Sequence, residues 1–243
     1  MSEVIWGRRP VAEALSAGSP IELVLIADGV SESGVVQEVL ELARARDIPV
    51  ERIERKALVR LIGSDKHQGI AARVPAFEYA PSKQVIEAKP ARILLLDGVT
   101  DPVNLGSILR SAEAFGFTGV LIPRNRSVGV TPTVRKVAAG AAERVTVANV
   151  GSPAETIARL SRSGILVVGL DPEGTAEYDS FDYPSDSLCL VVGAEGAGLS
   201  QLVKRRCDEL VRIPMAGTMA SINVAVAAAV VMSRVVSASG RHR

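Results

Sequence analysis

The apolar positions of this chain fall into short runs and helical spacings that alternate along most of its length. In the first 75 residues, apolar side chains at 35, 36, 39, 40, 42 and 43 repeat with a helical period and predict a helix over 35–46. Apolar stretches at 23–27, 50–53 and 69–74 predict strands, and 11–17 and 56–62 predict short helices. Together they describe a small α/β unit. Residues 76–90 (AFEYAPSKQVIEAKP) carry two prolines and no strong period, and they read as a linker with one helical turn. From residue 91 onward, strands are expected at 93–96, 120–122, 145–148, 165–170, 188–192 and 210–213. Helices are expected at 104–115, 132–141, 153–163, 199–206 and 221–237. Runs such as ILLL and LCLVV suit strands covered on both faces. Alternating β and α predicts an α/β fold with a parallel, doubly wound sheet. The final helix, SINVAVAAAVVM, is apolar nearly all round and so belongs in a close-packed setting.

Composition adds limits to this picture. The 243 residues are 47% apolar and 23% charged, ordinary for a globular protein of one or two domains. Formal net charge is +1, so no global basic field announces a nucleic acid, although local patches suffice for one. Aromatic residues are 3%, which argues against binding by stacking on many rings. The two cysteines, Cys189 and Cys207, are too few for a structural zinc site or a disulfide framework. MSEVIWGRRP has no apolar signal core, and the uncharged stretch 222–232 is far short of the ~20 residues of a membrane helix. A cytoplasmic protein without a membrane partner is the expectation.

Three segments could carry chemistry. LDGVTDPVNLGSILRSAEAFG (96–116) leaves a buried strand and enters a helix near Asn104, a good N-cap residue beside amides that could hold an anion. Leu105, Ile108, Leu109, Ala112 and Phe115 form its core stripe. Arg110 falls off that stripe and is either solvated or aimed at the carboxyl edge of the sheet, where open α/β folds bind ligands. VVGAEGAGLS (191–200) places three glycines and Glu195 between a strand and a helix. Its order is G-x-x-G-x-G, so the dinucleotide fingerprint is absent. VRIPMAGTMASINV (211–224) ends a strand at Pro214 and reaches Ser221, a candidate N-cap, and Asn223, an amide that needs partners if buried. His67 and His242 are isolated, and no Ser-His-Asp arrangement is credible. Arg124/Arg126, Arg135/Lys136 and Lys204–Arg206 could line a phosphate-binding face or be solvated ends.

In order and register, these three segments resemble the signature motifs of the SpoU (TrmH) family of RNA ribose 2′-O-methyltransferases, in the SPOUT class. VRKVAAGAAERV, between the first two, is also similar to a stretch of that family. IWGRRPVAEAL and KHQGIAARV are similar to the L30e-like RNA-binding domain of a subgroup that includes bacterial 23S rRNA guanosine-2′-O-methyltransferases. Asn104, Arg110, Glu195, Ser221 and Asn223 are all in place, and Ile222 stands where the family often has Leu. The resemblance implies a SPOUT-type parallel sheet with a C-terminal trefoil knot at 91–243 and an RNA-binding domain at 1–75. It implies S-adenosylmethionine held by backbone near Gly193, Glu195, Gly196, Ile213, Met215 and Ile222, a homodimer packed through the knot, and no metal.

The chemistry that the resemblance implies is methyl transfer to a weakly nucleophilic ribose 2′-OH, which must lose its proton near the transition state. Arg110 would contact the target phosphate and ribose, and Asn104 and Glu195 would orient Arg110 and the ribose. Ser221 and Asn223 would complete the pocket. A guanidinium stays protonated, so positioning and charge stabilisation are its safer roles. Three rivals differ in kind: a tRNA enzyme of the same family, a non-catalytic RNA-binding protein, and a nucleotide-dependent oxidoreductase. The missing glycine fingerprint disfavours the last.

Overall fold

The computed structural model describes residues 2–16, 18–183, 187–219 and 221–239. Two compact units divide the chain, Met1–Phe77 and Glu78–Arg243.

The first unit runs β1 (Ser2–Trp6), α1 (Arg8–Ser16), β2 (Leu23–Ala27), α2 (Val35–Ala45), β3 (Val50–Ile53), α3 (Arg55–Ile62) and β4 (Ile70–Pro75). Its sheet has the order β1-β4-β2-β3, antiparallel except between β2 and β3. Val24 and Ile26 face α1 and α2 in one apolar cluster, while Leu25 and Ala27 face Leu58 of α3 in another. Alternation along β2 thus builds two thin cores on one four-stranded sheet. The edge strand β1 was not expected, because five residues with Val4, Ile5 and Trp6 in succession show no alternation of their own.

The second unit runs α4 (Ser82–Ile86), β5 (Ala91–Asp97), α5 (Pro102–Ala114), β6 (Gly119–Pro123), α6 (Pro132–Ala138), α7 (Ala141–Arg144) and β7 (Thr146–Val150). It continues with α8 (Pro153–Arg162), β8 (Leu166–Leu170), β9 (Ala176–Glu177), β10 (Ser187–Gly193), α9 (Gln201–Lys204), β11 (Glu209–Arg212) and α10 (Val224–Ser239). The seven strands are all parallel in the order β7-β6-β5-β10-β8-β11-β9. Ile93, Leu95, Cys189 and Val191 bury one face against α8 and α9, and α5 and α10 pack together elsewhere on the sheet. The expected α/β class and parallel sheet are therefore present. No helix among the described residues is long and apolar enough to cross a membrane.

The structure corrects several local expectations. Residues 78–90 are not a linker. Val85 and Ile86 of α4 are buried in the second unit's core, and the Ala80 amide donates to Val147 O at 2.9 Å. A Cβ at Gly119 would lie 2.4 Å from Val85, so that glycine makes room for it. Asn104 is not the cap of α5: Asp101 is, accepting from the Val103 and Asn104 amides. Ser221 does not cap α10, which starts later; Asn223 Oδ1 accepts from the Ala225 and Val226 amides. The helix expected at 132–141 breaks at Ala139 and Gly140, both left-handed. His242 lies outside the described residues.

The C-terminal crossover is the unusual part. After β8, residues 171–175 cross β11 so closely that a Cβ on Gly174 would sit 2.4 Å from the Val211 carbonyl carbon. That crossing is on the α9 side, where Lys204 bonds Asp171 and Glu173. β9 then pairs with the outer edge of β11, and the chain returns on the α10 side, where Arg234 donates to Asp179 O and Phe181 O. β11 is thus threaded through an arch made by residues 171–183, the threading that a C-terminal knot requires.

Candidate active site

β5 and β10 lie side by side in register to their carboxyl ends, Gly193 beside Asp97. The neighbours of β5 run away from this point on one side and those of β10 on the other, and the cavity lies on the β10 side, at the ends of β10, β8 and β11. Two loops leave here, one into α5 and one carrying the glycines. Residues 194–198 close on themselves through Ala194 N to Gly198 O and Gly198 N to Ala194 O, at 3.0 and 2.9 Å. A Cβ at Gly193 would fall 2.2 Å from the Gly198 backbone, so no other residue fits there. Gly196 has φ +76 and nothing within 4 Å of a built Cβ, which leaves its backbone open to a ligand.

Two carboxylates absent from the residues that the sequence singles out hold this loop in place. Asp97 Oδ2 accepts from Ser200 N at 2.8 Å. Asp171, 1% exposed, accepts from Leu199 N and Glu173 N and pairs with Lys204 Nζ at 2.9 Å. Hydrogen bonds to Glu173 and then Asp171 raise the Lys204 pKa above its usual value. The signal was an acid directly after an apolar strand, in LLLD and VVGLD.

Below the loop is a cavity of about 430 Å³, within the ordinary range for small-ligand sites. Gly193, Glu195, Gly196, Ile213, Met215 and Ile222, the expected cofactor residues, all line it, and so does Ser221. Leu170, Val192 and Ala227 add apolar wall, while Glu177 and Arg212 bring both charges to it. Apolar wall, bare glycine backbone and opposite charges suit S-adenosylmethionine, a nucleoside joined to a zwitterionic amino acid.

At the rim, three segments far apart in sequence meet through their side chains. Asn223 Nδ2 donates to Asn104 Oδ1 at 2.8 Å, and Asn104 Nδ2 donates to Glu195 Oε2 at 3.1 Å. The direction of this chain is determined. Asn223 Oδ1 is committed to two helix amides, so its amino group must face Asn104, whose own amino group is left for the carboxylate. Arg110 is not part of it, so within one chain Asn104 and Glu195 do not orient Arg110 as expected. It lies six residues beyond Asn104 on α5, about 9 Å along the axis, exposed and outside the cavity lining. Of the basic clusters, Arg135 is paired with Glu143 and Lys204 with the acids above, whereas Arg124 and Arg126 are exposed.

The chain was compared with known proteins. Residues 91–233 match the model of the SpoU rRNA Methylase family, and residues 4–80 match that of the RNA 2′-O ribose methyltransferase substrate-binding domain. An uncharacterized tRNA/rRNA methyltransferase of Mycobacterium avium (strain 104) is 42% identical over 238 residues, covering 96% of this chain and 77% of that protein. The SpoU methyltransferase AviRb of Streptomyces viridochromogenes, in complex with AdoMet, superimposes with a TM-score of 0.67 at 27% identity, over 97% of this chain and 90% of that one. The AdoMet-bound rRNA methyltransferase of Sinorhizobium meliloti does so with 0.64 at 27% identity, over 99% and 87%. Motifs, sheet, glycine cavity and both domain matches agree: this chain belongs to the SpoU family of RNA methyltransferases, whose methyl donor is S-adenosylmethionine.

Proposed function

We propose that this protein transfers a methyl group from S-adenosylmethionine to the ribose 2′-OH of a guanosine in 23S rRNA. The observation that carries the reading is the hydrogen-bonded chain Asn223–Asn104–Glu195 at the mouth of the glycine cavity. It fixes a carboxylate beside the ligand space, with one oxygen held by Asn104 and the other left for the ribose. Ser221 and Ile222 close the cavity wall on the same side. When bound, the cofactor supplies an electrophilic methyl group, and the protein's task is to hold the hydroxyl in line with it. Glu195 and Asn104 orient the ribose. Arg110 binds the adjoining phosphate and stabilises the negative charge that builds on the ribose oxygen, since a guanidinium remains protonated.

Arg110 stands outside the cavity of its own chain, so in this reading it serves the site of a second copy. The apolar surface for such a homodimer is at hand in Val103 and Val226, each 51% exposed, and in Ile222 at 36%. The test is transfer from labelled S-adenosylmethionine to 23S rRNA and to tRNA, followed by mapping of 2′-O-methyl sites. Wild type is expected to label a guanosine of 23S rRNA. Arg110→Ala is expected to lose transfer by about 100-fold or more, with cofactor affinity and Tm unchanged. Exclusive labelling of tRNA refutes the substrate, and retained turnover in the variant refutes the role of Arg110.

A further inference from the structure

IWGRRP and KHQG, in the first unit, have no part in the cavity just described. The structure joins them. Gly7 N donates to Ile70 O at 2.9 Å, extending the β1–β4 ladder past Trp6. Beyond it, Arg8 N donates to Gln68 Oε1 at 3.1 Å and Arg8 Nε to Gln68 O at 3.3 Å. Gln68 is left-handed, at φ 55, in a turn pinned from inside by fully buried His67, whose Nδ1 accepts from Gly69 N at 2.9 Å. The turn therefore holds the start of the Arg8 side chain in a fixed position two residues from Trp6.

The charges of this unit look wrong for RNA, ten Lys and Arg against eleven Asp and Glu in residues 1–75. They are not spread evenly over its helices. The face carrying Ile5, Ile26 and Ala72 is covered by α1 and α2, which carry arginines (Arg8, Arg9, Arg44) and glutamates (Glu13, Glu38, Glu41) alike. The opposite face carries Val4, Leu25 and Ala71 and is covered by α3 through Leu58. α3 holds Arg55, Lys56 and Arg60 and no acid. Alternation places Trp6, two residues after Val4 and opposite Ala71, on this α3 side, which Glu51, opposite Leu25, shares. Arg73, opposite Val4, joins it there, diagonal to Trp6 and without an ion pair among the described residues. β1 is an edge strand, so Trp6 stands at the rim, 43% exposed although it is the chain's one tryptophan.

We propose that Trp6 is a stacking platform for an unpaired RNA base, with the Arg8 and Arg73 guanidinium groups on the flanking phosphates. An exposed indole beside a tethered arginine and an unpaired one matches what single-stranded nucleic acid offers, a π-face between anions. One ring suffices for one base, so the scarcity of aromatics is no obstacle. The site deepens the proposed function, since it rests on the first unit being the part that binds RNA.

The sole tryptophan is also the reporter. The full-length protein is titrated with transcribed 23S rRNA, with tRNA and a plain RNA duplex as further arms, and affinity is followed independently by filter binding. The expected results are quenching of Trp6 fluorescence by 23S rRNA and little by the duplex. Trp6→Ala should weaken binding about five- to hundredfold, and Trp6→Phe much less. Arg73→Gln should lower the slope of log affinity against log salt by about one, while Glu38→Gln on the other face leaves it unchanged. Unaltered S-adenosylmethionine binding in each variant and a wild-type circular dichroism spectrum show that it is folded. RNA binding without quenching, or at wild-type strength in Trp6→Ala, overturns the stacking site and leaves the rRNA reading standing. Absence of any RNA binding by the wild-type protein overturns both.

Discussion

Asn223 stands out in the sequence, because an amide in the first turn of an apolar helix has to be satisfied. Its partners were not legible: Asn104 is 119 positions away and meets it only because α5 and α10 pack together. Arg110 was rightly read as lying off the core stripe, yet the stripe says nothing of which cavity it faces. Asp97 and Asp171 carry no comparable mark, since their worth lies in backbone amides that a sequence does not display. Their charges act on a thiol as well. Burial, followed by the carboxylates of Asp208, Asp97 and Asp171, pushes Cys207 up to about 12. At pH 8 its thiolate fraction is then about one in ten thousand. Cys189 is fully buried and also raised. Both thiols are expected to resist iodoacetamide at pH 8 in the folded protein and to react readily in guanidinium chloride. Fast labelling of Cys207 in the native state, read by mass spectrometry, contradicts this.

Elements were legible wherever a buried run or a clear period marked them. Every strand expected in the parallel sheet is present within a few residues, because strands covered on both faces must be apolar throughout. Missed were β1, the two-residue β9 and the packing of α4, all of which depend on a partner elsewhere in the chain. The contact between α5 and α6 shows how tight such partnerships are. A Cβ on Gly106 would lie 2.6 Å from Val137 Cβ and 2.9 Å from Val134 O. Gly106→Ala must therefore push the two helices apart. Despite the better helix propensity of alanine, it is expected to cost about 1–3 kcal/mol in urea unfolding. A stabilised variant would show that α6 moves freely.

At the scale of the molecule, two units were anticipated, but the boundary was drawn too late for the second. Prolines and a weak period disguised residues 78–90 as a connector, whereas Val85 fills the space over Gly119. A piece spanning 78–243 is expected to fold and bind S-adenosylmethionine while losing methylation of 23S rRNA. One starting at 91 should lack the α4 contacts and unfold at lower urea. Equal stability of the two pieces, or full activity of the first on 23S rRNA, speaks against this division of labour.

The arch around β11 has a consequence for the order in which the protein is made. Ile213, Met215 and Ile222, which wall the cavity, follow a strand enclosed by residues 171–183. A chain emerging from the ribosome can assemble β5, β6 and β7 early, yet it has no cavity until the tail has passed through the arch, or the arch has closed around it. Half-made copies therefore lack a complete cavity, which exists only once residues 213–227 have been made and have taken their places.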